Sequence, residues 1–262
     1  MKTIRLLLIF CKLGILSEVE YRANFLVHLF ESIMSFATGI TVLWAVFSKT
    51  NALGGWSWDE LLVVLALWFI TKGLVNVMIA PSIRQFMFDV WQGNLDYMLT
   101  KPANHQFMAS SRKFLVFFGV DIAVGVVILI TALLRLHLSM HFQELSMVVI
   151  SLLAGGMILY GFWVVLGTLS IWTVKLENLM LVFYAMFEAG RWPAGLYPGW
   201  LRYSLTFLVP IAFAITVPAE AVIGRLTWQR VLVEVFAATL VFFASKAFFN
   251  YGVKKRYTGA SA

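Results

Sequence analysis

The sequence predicts an all-α, polytopic membrane protein: a helical bundle of six transmembrane helices, with an N-terminal interfacial helix and an outer re-entrant hairpin before the last span. Three observations lead there. Of the 262 residues, 61% are hydrophobic and only 13% are charged, against roughly 25% charged in a soluble domain. The apolar residues come in runs of helical length, and each helical crossing of a bilayer needs roughly 20 of them. A membrane barrel would instead alternate polar and apolar positions over roughly ten-residue segments, and no such pattern occurs.

Residues 1–24 come first. Lys2 and Arg5 precede an apolar stretch as in a signal peptide, but Lys12, Glu18, Glu20 and Arg22 follow with no small-residue cleavage site, so the segment is read as retained. Ile4, Leu7, Leu8 and Cys11 share one helical face with basic residues interspersed, the pattern of a helix lying in the membrane interface; the alternative is an extended basic tail. Cys11 is the single cysteine, which excludes an intramolecular disulfide and a cysteine metal cluster.

Residues 25–262 form the membrane domain, with spans at about 25–47, 60–80, 114–134, 146–171, 174–190 and 230–250. An even number of crossings puts both termini on one side, and that side also holds the loop 81–113. It carries Lys2, Arg5, Lys12, Arg22, Arg84, Lys101, Arg112, Lys113, Lys254, Lys255 and Arg256, whereas the first two opposite loops carry Lys49 and Arg135. The excess of Lys and Arg marks the cytoplasmic side. The net charge of +7 is therefore mostly an orientation signal whose partner is the anionic lipid headgroups, and no nucleic acid is implied.

Residues 191–229 depart from simple hydropathy. They hold Pro193, Pro198, Pro210 and Pro218, and their apolar stretch from Ser204 to Val217 is short for a crossing. Proline-broken backbone is tolerated at membrane depth where protein packs around it, so the segment is expected to be a re-entrant or interfacial hairpin with Arg191, Arg202 and Arg225 outside. A seventh crossing at 201–218 would place Lys254, Lys255 and Arg256 outside, against the charge count.

The loop 81–113 contains Arg84, Asp89, Trp91, Gly93, Leu95, Asp96, Leu99, Lys101 and Pro102. Aromatic and charged groups around a glycine turn, closed by a proline, describe an amphipathic helix-turn-helix that either caps the bundle or docks a partner.

No phosphate-binding loop is present, so the chain is not expected to bind ATP in the P-loop manner, and the absence of H-E-x-x-H, G-x-S-x-G and the dinucleotide fingerprint removes the commonest zinc-protease, hydrolase and dinucleotide signatures. His137 and His141 lack a third ligand and read as interfacial histidines; no metal site is expected. Ionisable residues within spans are costly and by default functional. Glu31, Lys72 and Asp121 are the candidates: Lys72 and Asp121 form a buried structural pair, or they line a polar path. The tryptophans near span ends read as interfacial anchors, and Gly155, Gly156, Gly161 and Gly167 as sites of close helix approach.

The stretch Trp91-Gln92-Gly93-Asn94-Leu95-Asp96-Tyr97-Met98-Leu99-Thr100-Lys101-Pro102 resembles the G-x-L-D-x-x-L-x-K-P signature of membrane subunits of type-2 ATP-binding-cassette (ABC) exporters, in particular short six-span bacterial permeases encoded apart from their ATPase. The resemblance extends over the whole chain. It implies a permease subunit with no ATPase of its own, associating with an ABC ATPase subunit present in two copies, which holds ATP and Mg, and with a second permease copy or a related permease. It also implies that Arg84, Asp89, Gly93, Leu95, Asp96, Leu99, Lys101 and Pro102 couple to that ATPase. The rival is an ion-gradient-driven secondary transporter, motivated by Glu31, Lys72 and Asp121, which would show internal repeat symmetry.

Overall fold

The computed structural model describes residues 2–20, 22–101, 104–137, 141–173 and 177–255. Every regular element among them is helical. In chain order these are α1 (Lys2–Glu20), α2 (Arg22–Phe47), α3 (Trp58–Trp91), α4 (Asp96–Leu99), α5 (His105–Ser111), α6 (Val116–Leu136), α7 (Phe142–Leu169) and α8 (Glu177–Ala189). They continue as α9 (Gly199–Leu208) and α10 (Ile211–Val222), then α11 (Trp228–Lys255). Five of them, α2, α3, α6, α7 and α11, are long and apolar enough to cross a membrane alone, which makes the chain an all-α polytopic membrane bundle.

The second expected span runs well past residue 80. At about 1.5 Å per residue, the 34 residues of α3 extend about 51 Å, against a hydrocarbon thickness of about 30 Å. Its start is fixed by a capping box in which Ser57 and Glu60 satisfy each other's backbone N–H groups. Pro81 lies inside it, and a proline removes one helical hydrogen bond and crowds the carbonyl four residues earlier. Two adjustments absorb this. Residues Val75–Ile79 widen into a π-helical turn, and the Val77 carbonyl accepts instead from the Leu115 N–H, at 2.8 Å.

Small residues set the helix contacts. Helix α3 runs antiparallel to α6, and a Cβ on Gly125 would come 2.8 Å from the Ala66 carbonyl oxygen and 2.9 Å from the Ile70 nitrogen. That approach of backbone to side-chain-free backbone is how membrane helices gain dispersion contact without a hydrophobic driving force. Helices α7 and α11 run parallel and meet the same way, with Gly161 against Val241 and Ser245. Around these two pairs a core of Trp68, Phe69, Phe86, Trp163, Phe183 and Phe249 is nearly inaccessible.

Helix α8 covers 13 residues, about 20 Å, and stops at Ala189 inside the bundle; residues 174–176 of the expected span lie outside the described residues. The Trp68 indole N–H donates to the Phe187 carbonyl at 2.9 Å and ties this end to α3. The chain then turns into α9 and α10, bent by 72° at Val209–Pro210. Neither is long enough to cross. Leu205, Ile211, Ile215 and Ala219 are buried, while Trp200, Tyr203, Phe207 and Leu208 are exposed, so the pair packs on the bundle by one face. A Cβ on Gly155 of α7 would sit 2.4 Å from the Phe213 carbonyl oxygen, so backbone lies directly on backbone there.

Candidate functional site

Two groupings hold the sequence-derived candidates. The first is the segment that follows α3 at the end of the bundle rich in basic residues. Helix α3 ends in a Schellman motif: Asn94 N–H donates to the Asp89 carbonyl at 2.8 Å and Gly93 N–H to that of Val90 at 3.2 Å. Gly93 has φ +70°, the left-handed region that a side chain disfavours. The turn sends Leu95 and Met98 of the next helix inward, where both are buried. Leu99 is half-buried, and Asp96 and Lys101 are exposed. Pro102 lies outside the described residues.

Asp89 is held on two sides, accepting from Gln85 Nε2 at 3.0 Å and pairing with Arg112 beyond α5. The Ser82 hydroxyl both donates to the Lys113 carbonyl and accepts from the Lys113 N–H, each at 3.0 Å. Asn104 caps α5 by accepting from Phe107 N–H at 3.1 Å. These contacts fold segment 82–113 into a knob, which is also tied to α7 by Gln106 and Ser110 at the Tyr160 hydroxyl, 3.4 and 3.1 Å away, and to α11 by Phe86 against Phe249. What it leaves free is an edge of Phe88, Trp91 and Tyr97, which are 51%, 61% and 76% exposed, beside the exposed Arg84, Asp96 and Lys101. Single exposed apolar residues need no explanation, but three aromatics with mixed charge on either side of the Gly93 turn form the anchor-and-rim composition of a protein interface.

The second grouping is buried among α2, α3 and α6. Asp121 is fully inaccessible. Its carboxylate accepts from the Ser32 hydroxyl at 2.5 Å and lies 3.4 Å from Lys72 Nζ and 3.2 Å from His28 Nε2. The other His28 nitrogen is 3.4 Å from Glu31 Oε2, and the Glu31 side chain is 65% exposed. Phe117 and Phe118 pack edge-on to the imidazole, centroids 5.3 and 4.3 Å away, and Lys72 Nζ stands 5.3 Å over the Trp68 ring. One turn along α3, Asn76 donates to the Lys72 carbonyl at 3.0 Å, at the π-helical turn. An isolated charge in this setting would cost several kcal/mol, and mutual pairing with added hydrogen bonds is what makes it tolerable.

The structure therefore brings Lys72 and Asp121 together, leaves Glu31 at the rim, and adds His28 and Ser32, which the sequence reading passed over. The available signal was spacing: His28, Glu31 and Ser32 fall at i, i+3 and i+4 in a largely apolar helix, a polar stripe on one face. Arg191 also departs from expectation. It stands over Trp68, with its guanidinium carbon 4.2 Å from the ring centroid, because α8 ends short and the chain turns within the bundle. Glu234, by contrast, is buried with neither oxygen hydrogen-bonded among the described residues, facing Ser151 across α7 and α11. Among the described residues no three His, Cys, Asp or Glu side chains converge on a metal-sized site.

Comparison with known proteins gives one match. The family model described as ABC-2 family transporter protein matches residues 33–261, which takes in the protruding knob, both buried helix pairs and the bent α9–α10 segment. Neither the curated proteins nor the solved structures gave a match. The matched region contains the bundle from the fourth turn of α2 onward, and the chain accordingly belongs to the ABC-2 transporter family, as the membrane component of an ABC transporter.

Proposed function

We propose that the chain is the permease subunit of an ABC exporter, and that segment 84–102 is where a separate ATPase subunit docks and drives it. The observation that carries this reading is the knob itself. It stands at the end of a helix longer than the bilayer is thick, is braced by Asp89–Arg112 and Ser82–Lys113, and presents Trp91, Tyr97, Asp96 and Lys101 outward. ATP and Mg reside on the partner, in two ATPase copies per complex, with a second copy of this permease or a related one completing the path. The concentration of basic residues at this end supports a cytoplasmic location for the knob and for both termini in a bacterial inner membrane. Closure of the two ATPases then moves the knob, and α3 carries the displacement into the bundle. The Lys72–Asp121–His28 cluster is satisfied internally, which favours a structural part for it over the ion path of a secondary transporter.

The test is co-purification of a tagged chain in mild detergent from its own host. A stoichiometric ATPase subunit is expected with the natural chain. The double substitution of Trp91 and Tyr97 by alanine is expected to lose it at least tenfold, with an unchanged elution profile for the permease. Recovery of the permease alone, or equal ATPase recovery with the double variant, contradicts the assignment.

A further inference from the structure

The coupling scheme leaves Arg191 unused. It follows the short α8 and projects between α2 and α3. Its Nη2 donates to Ser35 Oγ at 3.0 Å and pairs with Glu188 at 2.6 Å, while its Nε–H is buried with no acceptor among the described residues. Ser35 and Trp68 lie about 20 Å and about 15 Å along α2 and α3 by helical rise, so the guanidinium sits near mid-depth of the spans. A charge there is expensive and marks a site by default.

Beside it opens a small, half-open cleft lined by Gly39, Val42, Leu43, Leu65, Arg191 and Trp192. Its walls are apolar apart from the guanidinium, and Val42 at its rim is 42% exposed. The combination is an apolar slot with one cationic, incompletely bonded end. Glu188 occupies part of the guanidinium yet is itself 52% exposed, so it is free to swing aside for a better acceptor. A phosphate or carboxylate offers Arg a fork-shaped pairing that a single carboxylate oxygen on Nη2 does not complete.

We propose that this cleft seats a membrane-borne anionic amphiphile, the acidic group on Arg191 and the chain along Gly39, Val42 and Leu65, and that such amphiphiles are the cargo class of the permease. A resident lipid keeps its headgroup at the bilayer surface. A guanidinium at mid-depth meets a headgroup only in transit, which is why the site points to cargo. The inference rests on the exporter reading above, but its test needs neither ATPase nor ATP, so failure here is read apart from failure of co-purification.

The full-length chain in detergent is titrated with didecanoyl phosphatidylglycerol, didecanoyl phosphatidylcholine and inorganic phosphate, with bound ligand counted by native mass spectrometry. Phosphatidylglycerol is expected to bind at least tenfold tighter than phosphatidylcholine, with inorganic phosphate unable to compete at equal concentration. Arg191→Gln is expected to reduce that preference to below twofold. Val42→Trp, which fills the slot and keeps the charge, is expected to weaken both lipids at least tenfold. Glu188→Gln is expected to tighten phosphatidylglycerol several-fold by freeing the guanidinium, a gain that a purely structural Arg191–Glu188 pair does not give. Equal binding of the two lipids, competition by phosphate as strong as by the lipid, or an unchanged preference in both Arg191→Gln and Glu188→Gln overturns the proposal. So does efficient disulfide cross-linking of Val42→Cys between two chains, which means that a second copy fills the cleft.

Discussion

Replacing Asp121 by asparagine removes the one full negative charge that Lys72 and His28 share at the centre of α2, α3 and α6. Asp121 is fully inaccessible and Lys72 is 19% exposed, so solvent screening is weak for this pair. Removing one partner of a buried ion pair costs about 3–5 kcal/mol, because the other charge stays behind without compensation. At about 2–4 °C per kcal/mol for a chain of roughly this size, the midpoint of heat-induced loss of the monodisperse peak, read by fluorescence-detected size exclusion in a fixed detergent, is expected to fall by about 10 °C. Lys72→Met is expected to cost less, since Ser32 and His28 still face the carboxylate. In the double variant the orphaned ammonium is gone, so the loss is expected to be smaller than the sum of the singles by about 0.5–3 kcal/mol, the range of coupling for groups in contact. A fall below about 2 °C for Asp121→Asn, or strictly additive losses, would refute the view that this cluster is a mutually dependent charge network.

Two further outcomes follow from packing. Gly125→Ala inserts a methyl 2.7 Å from Ile70 Cγ1 and under 3 Å from backbone atoms of Ala66 and Ile70, so α3 and α6 must separate; about 1–3 kcal/mol of destabilisation is expected by the same thermal assay, and an unchanged midpoint argues against the close crossing. Glu234→Leu exchanges a buried carboxyl group that has no hydrogen bond among the described residues for an apolar side chain of similar volume, and a midpoint raised by a few degrees is expected. A midpoint lowered by that change indicates that Glu234 has a partner in the assembled complex.

The helical class was legible because membrane composition and apolar run length depend only on the solvent the chain is built for. The knob was legible for a different reason: Gly93 is needed at a left-handed position and Leu95 and Met98 alternate with exposed neighbours, both local requirements. Spatial coincidence was harder to see. Ser32, His28 and Asp121 are some ninety residues apart in the chain, and nothing in hydropathy says which face of α2 meets which face of α6. Arg191 falls outside in the sequence reading because a fifth span at 174–190 leads there into an outer hairpin, and a hydropathy profile registers apolar residues without registering where a helix stops. The continuation of α3 to Trp91 was hidden in the opposite way. Polar residues after Ser82 look like a loop, yet the helix persists since its lost carbonyl partner at Val77 is replaced by Leu115.

That replacement bears on how motion at the knob would reach the bundle under the proposed coupling. A helix transmits a push only where it is stiff, and α3 is stiff on both sides of one weak place, the π-helical turn at Val75–Ile79 followed by Pro81. If the weak place were unsupported, displacement of Trp91 would be spent in bending there. Instead the Val77 carbonyl is bonded to Leu115 at the start of α6, and Ser82 is bonded to Lys113 just before it. A displacement of the knob is therefore delivered to the beginning of α6 as well as to α3. Both helices then pull on the same charge cluster, through Lys72 from one side and Asp121 from the other. Since that cluster also binds α2 through Ser32 and His28, the three helices are constrained to shift together, which is the behaviour a rigid-body change between two bundle packings requires.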